Sequence, residues 1–303
     1  MNSMSPPVAD REDAAPRAMP SEEKLPPPRS TVRRMFRHRS LLAGSCICVV
    51  LIGLVAAAPL LTGADPNQQN PMAILQPPSA EFPMGTDAFG RDLMARVLFG
   101  GRVSILASVT VVILGAFFGT LMGLVAGYFG GRPGFLLMRV VDLLLAFPGI
   151  LLALAITAIL GPGLINGIIA ISVILVPVYA RLVEGATTEV CALPYIDAAV
   201  TLGAGPWRIL ATHVLPNLMP SIIVMTTIWL GIAMLWISAL GFIGLGVQPP
   251  NPEWGAILND GQQFITLAWW MTVFPGLFLS LFVIGVNLIG DGLRDELDPR
   301  VAQ

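Results

Sequence analysis

Lysine is almost missing from this 303-residue chain: Lys24 is the only one, and it is followed by Leu25. A phosphate-cradling P-loop needs a lysine between its last glycine and a Ser or Thr, so the chain has no such loop of its own. Charge of either sign is scarce. Only 12% of residues are charged against 55% hydrophobic, with a mean hydropathy of +0.76. That excludes an ordinary soluble domain, whose surface needs polar cover. The net charge of -2 names no partner, and none of the sequence points to nucleic acid. Of three cysteines, Cys46 and Cys48 lie in an apolar run and Cys191 in a loop. They have neither metal-ligand spacing nor a disulfide framework, and read as small apolar fillers. The apolar stretches hold almost no central carboxylates and no visible internal repeat, which counts against an ion-coupled secondary transporter. Ser104, Ser108, Ser172 and Ser238 fall in these stretches without a Ser–His or paired-Asp arrangement, which counts against an intramembrane enzyme.

What is abundant is apolar runs long enough to cross a hydrocarbon core of about 30 Å as helices. They fall at about 41–61, 103–126, 143–160, 164–183, 219–246 and 269–289. The fold class expected is therefore an all-α integral membrane protein with six transmembrane helices. Residues 1–32, proline-rich and charged, read as a disordered cytoplasmic tail. Arg33, Arg34, Arg37 and Arg39 stand just before the first run, and Arg132, Arg139, Arg181, Arg208, Arg294 and Arg300 fall at the same side. By the positive-inside rule both termini are cytoplasmic. The expected organisation is a tail (1–32), a first span with an outer segment (33–101), the main transmembrane domain (102–291) and a C-terminal tail (292–303).

Three patterns stand out within this frame. Gly115, Gly119, Gly123 and Gly127 recur every four residues and line one helix face. Glycine there suits close backbone approach to another helix, with a place along a transport path as the sharper alternative. On the outer side, Asp87–Arg91 and Asp92–Arg96 are i,i+4 pairs with the acid first. With Thr86 as a cap and Phe89, Leu93 and Val97 on one stripe, a short amphipathic surface helix is expected. Asp87 and Asp92 have no third ligand for a metal. Arg139 and Asp142, three apart near the inner end of the third span, are expected to neutralise each other as an ion pair, with gating as the alternative.

The most informative segment is the loop of 184–218 between the fourth and fifth runs. Glu184 to Leu202 reads as one helical piece that stops at Gly203-Ala-Gly205, and Pro206 opens a second short helix through His213. The string is Asp197-Ala198-Ala199, three residues, Gly203, nine residues, then His213-Val-Leu215-Pro216. It resembles the E-A-A loop of ABC importer permeases, with Asp197 in place of the usual glutamate. That resemblance implies a coupling helix that docks in a groove of an ATPase subunit. Small Ala198 and Ala199 would let the helix seat closely, and Gly203 would permit the bend.

The resemblance extends from about residue 30 to the end. Gly85-Thr86-Asp87, Gly90-Arg91-Asp92, Arg96, Gly100, Arg102 and Ser104 are similar to an outer stretch of the dipeptide/oligopeptide permease C family. So are Gly127-Tyr128-Phe129-Gly130-Gly131, Pro252-Glu253-Trp254-Gly255, Gly290-Asp291-Gly292-Leu293-Arg294-Asp295 and Leu297-Asp298-Pro299-Arg300. The resemblance implies the type I ABC importer transmembrane fold in the cytoplasmic membrane. It implies a homologous B-type permease, two ABC ATPase subunits and an extracytoplasmic substrate-binding protein as partners, with the Asp87–Arg96 motif as a candidate receiver for the last. The solute implied is a short peptide, with nickel, glutathione or another small solute carried by the same family. No cofactor is expected on this chain, since ATP and Mg would sit on the ATPases. Two departures mark it: Ile237 stands where the family commonly has an acid, and Glu184 where a base is common.

Overall fold

Residues 39–297 are described by the structure, a computed structural model. The expected tail of 1–32, with Arg33, Arg34, Arg37 and residues 298–303, lies outside them. The described residues are mostly helical, apart from a largely irregular stretch over 62–92. In chain order the helices of eight residues or more are α1 (Arg39–Ala56), α2 (Leu93–Phe129), α3 (Gly131–Leu145), α4 (Gly149–Leu160), α5 (Leu164–Cys191), α6 (Pro194–Thr201), α7 (Pro206–Phe242), α8 (Trp254–Gln262) and α9 (Trp270–Leu297). Five of them, α1, α2, α5, α7 and α9, are long and apolar enough to cross a bilayer, and the bent pair α3–α4 makes a sixth.

Glycine decides how these helices meet. The face of α2 that carries Gly115, Gly119, Gly123 and Gly127 lies on α5: a Cβ at Gly119 would stand 2.5 Å from both the Tyr179 Cβ and the Val176 carbonyl oxygen. One at Gly127 would stand 2.7 Å from the Glu184 carbonyl. α1 lies on α9 in the same way, through Gly44 and Gly285. Two large apolar cores and a small third one result. One joins α2, α5 and α7 through residues such as Val111, Leu175, Tyr179 and Leu240. The other joins α1, α8, α9 and the start of α2 around Trp254, Met271 and Phe282.

Four expectations need correction. The third span is not a straight helix over 143–160. α3 stops at Leu145 and α4 leaves it at 92°, because Pro148 has no N–H to donate and biases Phe147 away from helical dihedrals. The helix of the second span starts ten residues earlier than 103, at Leu93. The loop of 184–218 does not hold one long helix followed by a separate short one. α5 runs on to Cys191, a new helix starts at Pro194, and the segment after Pro206 is continuous with the fifth span through a π-turn at Leu210–Val214.

The fourth correction concerns Thr86 to Gly90, which is a tight turn and not an amphipathic helix. Gly85 and Gly90 take φ of +77° and +70°, and a Cβ at Gly90 would fall 1.8 Å from the Asn70 carbonyl oxygen. Thr86 caps nothing. Its hydroxyl donates to the Ala73 carbonyl and accepts from Gln76 N. The cap of α2 is Asp92, which accepts from Ala95 N at 3.1 Å. Phe89 is exposed while Leu93 and Val97 are buried, so the three share no stripe.

Candidate functional site

At one end of the bundle the chain turns twice within fourteen residues and builds a small projecting knob. α5 ends in the helical cap of Ala192, Leu193 is extended, and Pro194 starts α6, where a missing N–H costs nothing. α6 is closed by paired bonds: Gly203 N donates to Val200 O at 2.9 Å and Ala204 N to Ala199 O at 3.1 Å. This is the Schellman arrangement, and it needs a left-handed residue, here Gly203 at φ +83°. Pro206 then opens α7. Ile196 pins the knob to the core beside Ile209, Leu210 and Val214.

The motif residues sit on the other side of that pin. Asp197, in the first turn of α6, is exposed, as is Ala198, and Ala199 is half-buried. Around them the knob shows apolar side chains to the outside. Leu202 is 88% exposed and Trp207 63%, with Tyr195, Val200 and Leu193 also open. Spacing alone had not marked these residues. A Trp and a run of aliphatics inside a loop that holds a helix cap were the available signal. An exposed acid, two alanines and a rim of large apolar groups suit a protein partner better than water.

His213, Leu215 and Pro216 fall in the π-turn and the turn after it, on the flank of the knob. His213 Nδ1 lies 2.9 Å from Thr212 Oγ1, and its carbonyl accepts from Asn217 Nδ2 at 2.6 Å. The same amide reaches the Tyr195 hydroxyl at 3.2 Å, which ties α6 to α7. Leu215 is half-buried and Pro216 exposed.

The opposite end of the bundle carries the charged motif, knotted rather than laid out on a helix. Asp87 accepts from Phe89 N and Arg91 N through Oδ1, and its Oδ2 is 2.5 Å from Arg91 Nε and 3.4 Å from Arg96 Nε. Arg96 therefore turns to Asp87, and Asp92 is left to cap the helix. Asp260 of α8 completes the cluster, 3.5 Å from Arg91 and 3.9 Å from Arg96. Burial pushes the Asp260 carboxyl up while the two arginines oppose it. Beside this cluster Glu253 is wholly buried without a base against it. It caps α8 through Gly255 N and Ala256 N, each at 2.9 Å, and accepts from the Ser104 hydroxyl at 2.9 Å. Burial raises its carboxyl above the usual range, with these donors pulling the other way. Sequence reading gave neither acid a role, since neither belongs to a spaced pair, and Glu253 entered it only within the Pro252-Glu253-Trp254-Gly255 string.

The third motif does not pair as expected. Asp142 of α3 bonds to Arg181 of α5, not to Arg139 on its own helix. Arg139 lies over the Phe135 ring at 4.7 Å. The i,i+3 spacing permitted a local pair, but the packing of α3 on α5 offered the carboxylate a nearer partner. Among the described residues no cluster of His, Cys, Asp and Glu could hold a metal ion.

Comparison with known proteins bears on what this arrangement serves. Residues 119–303 match the family described as binding-protein-dependent transport system inner membrane component. Residues 27–78 match the N-terminal TM domain of oligopeptide transport permease C. The chain is 43% identical over 289 residues to the dipeptide transport system permease protein DppC of Alkalihalophilus pseudofirmus, covering 94% of this chain and 95% of that one. It is 43% identical over 283 residues to the di/tripeptide transport system permease protein DppC of Pseudomonas aeruginosa, with 91% and 93% covered. The glutathione transport system permease protein GsiD of Pectobacterium atrosepticum is 40% identical over 270 residues, with 89% and 90% covered.

Proposed function

The chain belongs to the family of binding-protein-dependent transport system inner membrane components, and from that premise we propose that it is the C-type permease of an ABC importer for di- and oligopeptides. It spans the cytoplasmic membrane several times and pairs with a homologous permease to enclose the path. The observation that carries this reading is the knob at 192–205, where Asp197, Ala198 and Leu202 stand exposed on a backbone fixed by the Gly203 cap, with Trp207 exposed just after it. A knob so rigid and so apolar at its rim suits docking against a partner that moves it.

That partner is an ATPase subunit, one on each permease, and it holds the ATP and Mg. Closure of the two ATPases displaces the knobs. Because α6 is tied to α7 by Asn217 and Tyr195, and α7 is continuous from Pro206 to Phe242, the push is delivered to a whole span as a rigid body. The knob end then faces the cytoplasm. The opposite end, braced by the Asp87–Arg91–Arg96–Asp260 cluster, receives the solute-loaded binding protein.

Uptake in proteoliposomes that hold both permeases, the ATPases and the binding protein tests this. Dipeptide, glutathione and Ni2+ are offered in parallel, because one relative is named for glutathione. Dipeptide accumulation that needs ATP and survives collapse of ion gradients supports the proposal. Uptake that follows an ion gradient without ATP would place the chain among secondary transporters instead.

A further inference from the structure

The bend between α3 and α4 leaves irregular backbone uncovered at membrane depth. α3 climbs antiparallel to α2: a Cβ at Gly134 would meet the Ala126 carbonyl, and Met138 and Val141 pack with Ala126 and Ala180. Ala180 in turn lies between Gly119 and Gly123 of α2. Those two are roughly 15 and 9 Å from the end of α2 at Phe129, at 1.5 Å per residue. Asp142 and Arg181 pair at that depth, with side chains 41% and 47% exposed. Just beyond, the helix stops, and Leu145, Ala146, Phe147 and Pro148 are all exposed.

Lipid suits neither feature. Non-helical backbone within the hydrocarbon region is tolerated only when protein covers it or when it lines a watery cavity. Ionisable side chains there face the interior of a bundle or a pathway. Two independent observations, an open break and a half-exposed ion pair, thus mark the same face of the subunit.

We infer that this face lines the translocation path and that Asp142 and Arg181 form a waypoint for a zwitterionic solute. The inference rests on the importer reading above and says where, on this chain, the solute passes. Charge favours this class of occupant. The nearest charged neighbour, Glu184 at 3.9 Å from Arg181, is acidic, and Arg139 is basic. The strip alternates in sign and carries no net field to hold a metal ion or a simple anion. A peptide with free ends exchanges into it without leaving a charge unpaired: its ammonium takes Asp142 while its carboxylate takes Arg181.

The test uses the full complex in proteoliposomes, with Cys46, Cys48 and Cys191 replaced by alanine. Phe147→Cys is expected to react with a membrane-impermeant methanethiosulfonate reagent. Dialanine should slow the reaction, and N-acetyl-dialanine amide should not. In a second arm, Arg181→Gln is expected to raise the half-saturating dialanine concentration for uptake about tenfold, the loss of one charge-assisted hydrogen bond. If Phe147→Cys is unreactive in both nucleotide states of an assembled complex, the face is covered and the path runs elsewhere. Unchanged dialanine uptake in both Arg181→Gln and Asp142→Asn would remove the waypoint. Ready labelling in a complex that imports no dialanine would sink the peptide reading and leave the path assignment standing.

Discussion

Arg181 bonds to Asp142 across the contact between two helices, although Arg139 stands only three residues from Asp142 on the same helix. A double-mutant cycle separates the two possible partners. Asp142→Asn and Arg181→Gln are expected to couple by about 1 kcal/mol in thermal stability, the upper range for a solvent-touched pair. Asp142→Asn with Arg139→Gln should be additive. Melting midpoints of the detergent-purified protein read both.

The glycine face of α2 sets a second expectation. Gly119→Ala forces a methyl against the Val176 carbonyl and the Tyr179 Cβ, and should cost roughly 1–3 kcal/mol as an overpacked contact. Gly53→Ala on α1 meets nothing within 4 Å. It should be neutral, or stabilising by up to about 1 kcal/mol through helix propensity. A Gly119→Ala variant as stable as its parent would mean that α2 and α5 do not meet along this face.

Asp87 and Asp92, alike in type and five residues apart, are predicted to differ sharply. Removing Asp87 as Asp87→Ala leaves Arg91 and Arg96, both buried, with only the part-exposed Asp260 carboxylate, and should cost about 3 kcal/mol, the low end for breaking a buried pair. Asp92→Ala removes one helix cap and should cost about 1 kcal/mol. Equal costs would contradict the knotted arrangement.

Glu253 predicts a pH dependence of definite sign. Its carboxyl is raised by burial, and no charged group faces it from α2, α7 or α8; only the Ser104 and Ser238 hydroxyls and its own helix amides do. The folded state therefore binds the proton more tightly than the unfolded one. That stabilisation is complete below the ordinary glutamate value of about 4.3 and is lost as pH climbs through the raised value. The melting midpoint should fall as pH climbs above the ordinary glutamate range, and Glu253→Gln should flatten most of the slope. Asp260, raised in the same direction, supplies what remains.

Much of this architecture can be read from the amino acids, and the failures have one cause. Apolar runs located the spans because crossing a bilayer imposes length and composition on each segment separately. The four-residue glycine period identified a contact face, but only the fold shows that α5 fills it. The turn after α6 was legible in Gly203, whose position is fixed by a local backbone need, the left-handed cap. What misled was spacing read as contact. Asp92 and Arg96 sit at helical distance, yet Gly85 and Gly90 bend the chain before the helix begins, and Arg96 finds Asp87. Pro148 announced a break in the third span that the apolar run concealed. Asp260 and Arg181 act through partners far along the chain, as Glu253 does through Ser104, and no local pattern records them.

The central claim is that the knob at 192–205 couples this chain to ATP hydrolysis on another. Its most direct test is peptide-stimulated ATP hydrolysis by the reconstituted complex with Asp197→Arg and Leu202→Asp combined. Both side chains are exposed, so insertion and pairing with the second permease should survive and are checked first. The account predicts that the ATPases dissociate from the variant and that hydrolysis no longer responds to peptide. ATPase retention with full peptide stimulation in the variant would show that coupling does not pass through this knob.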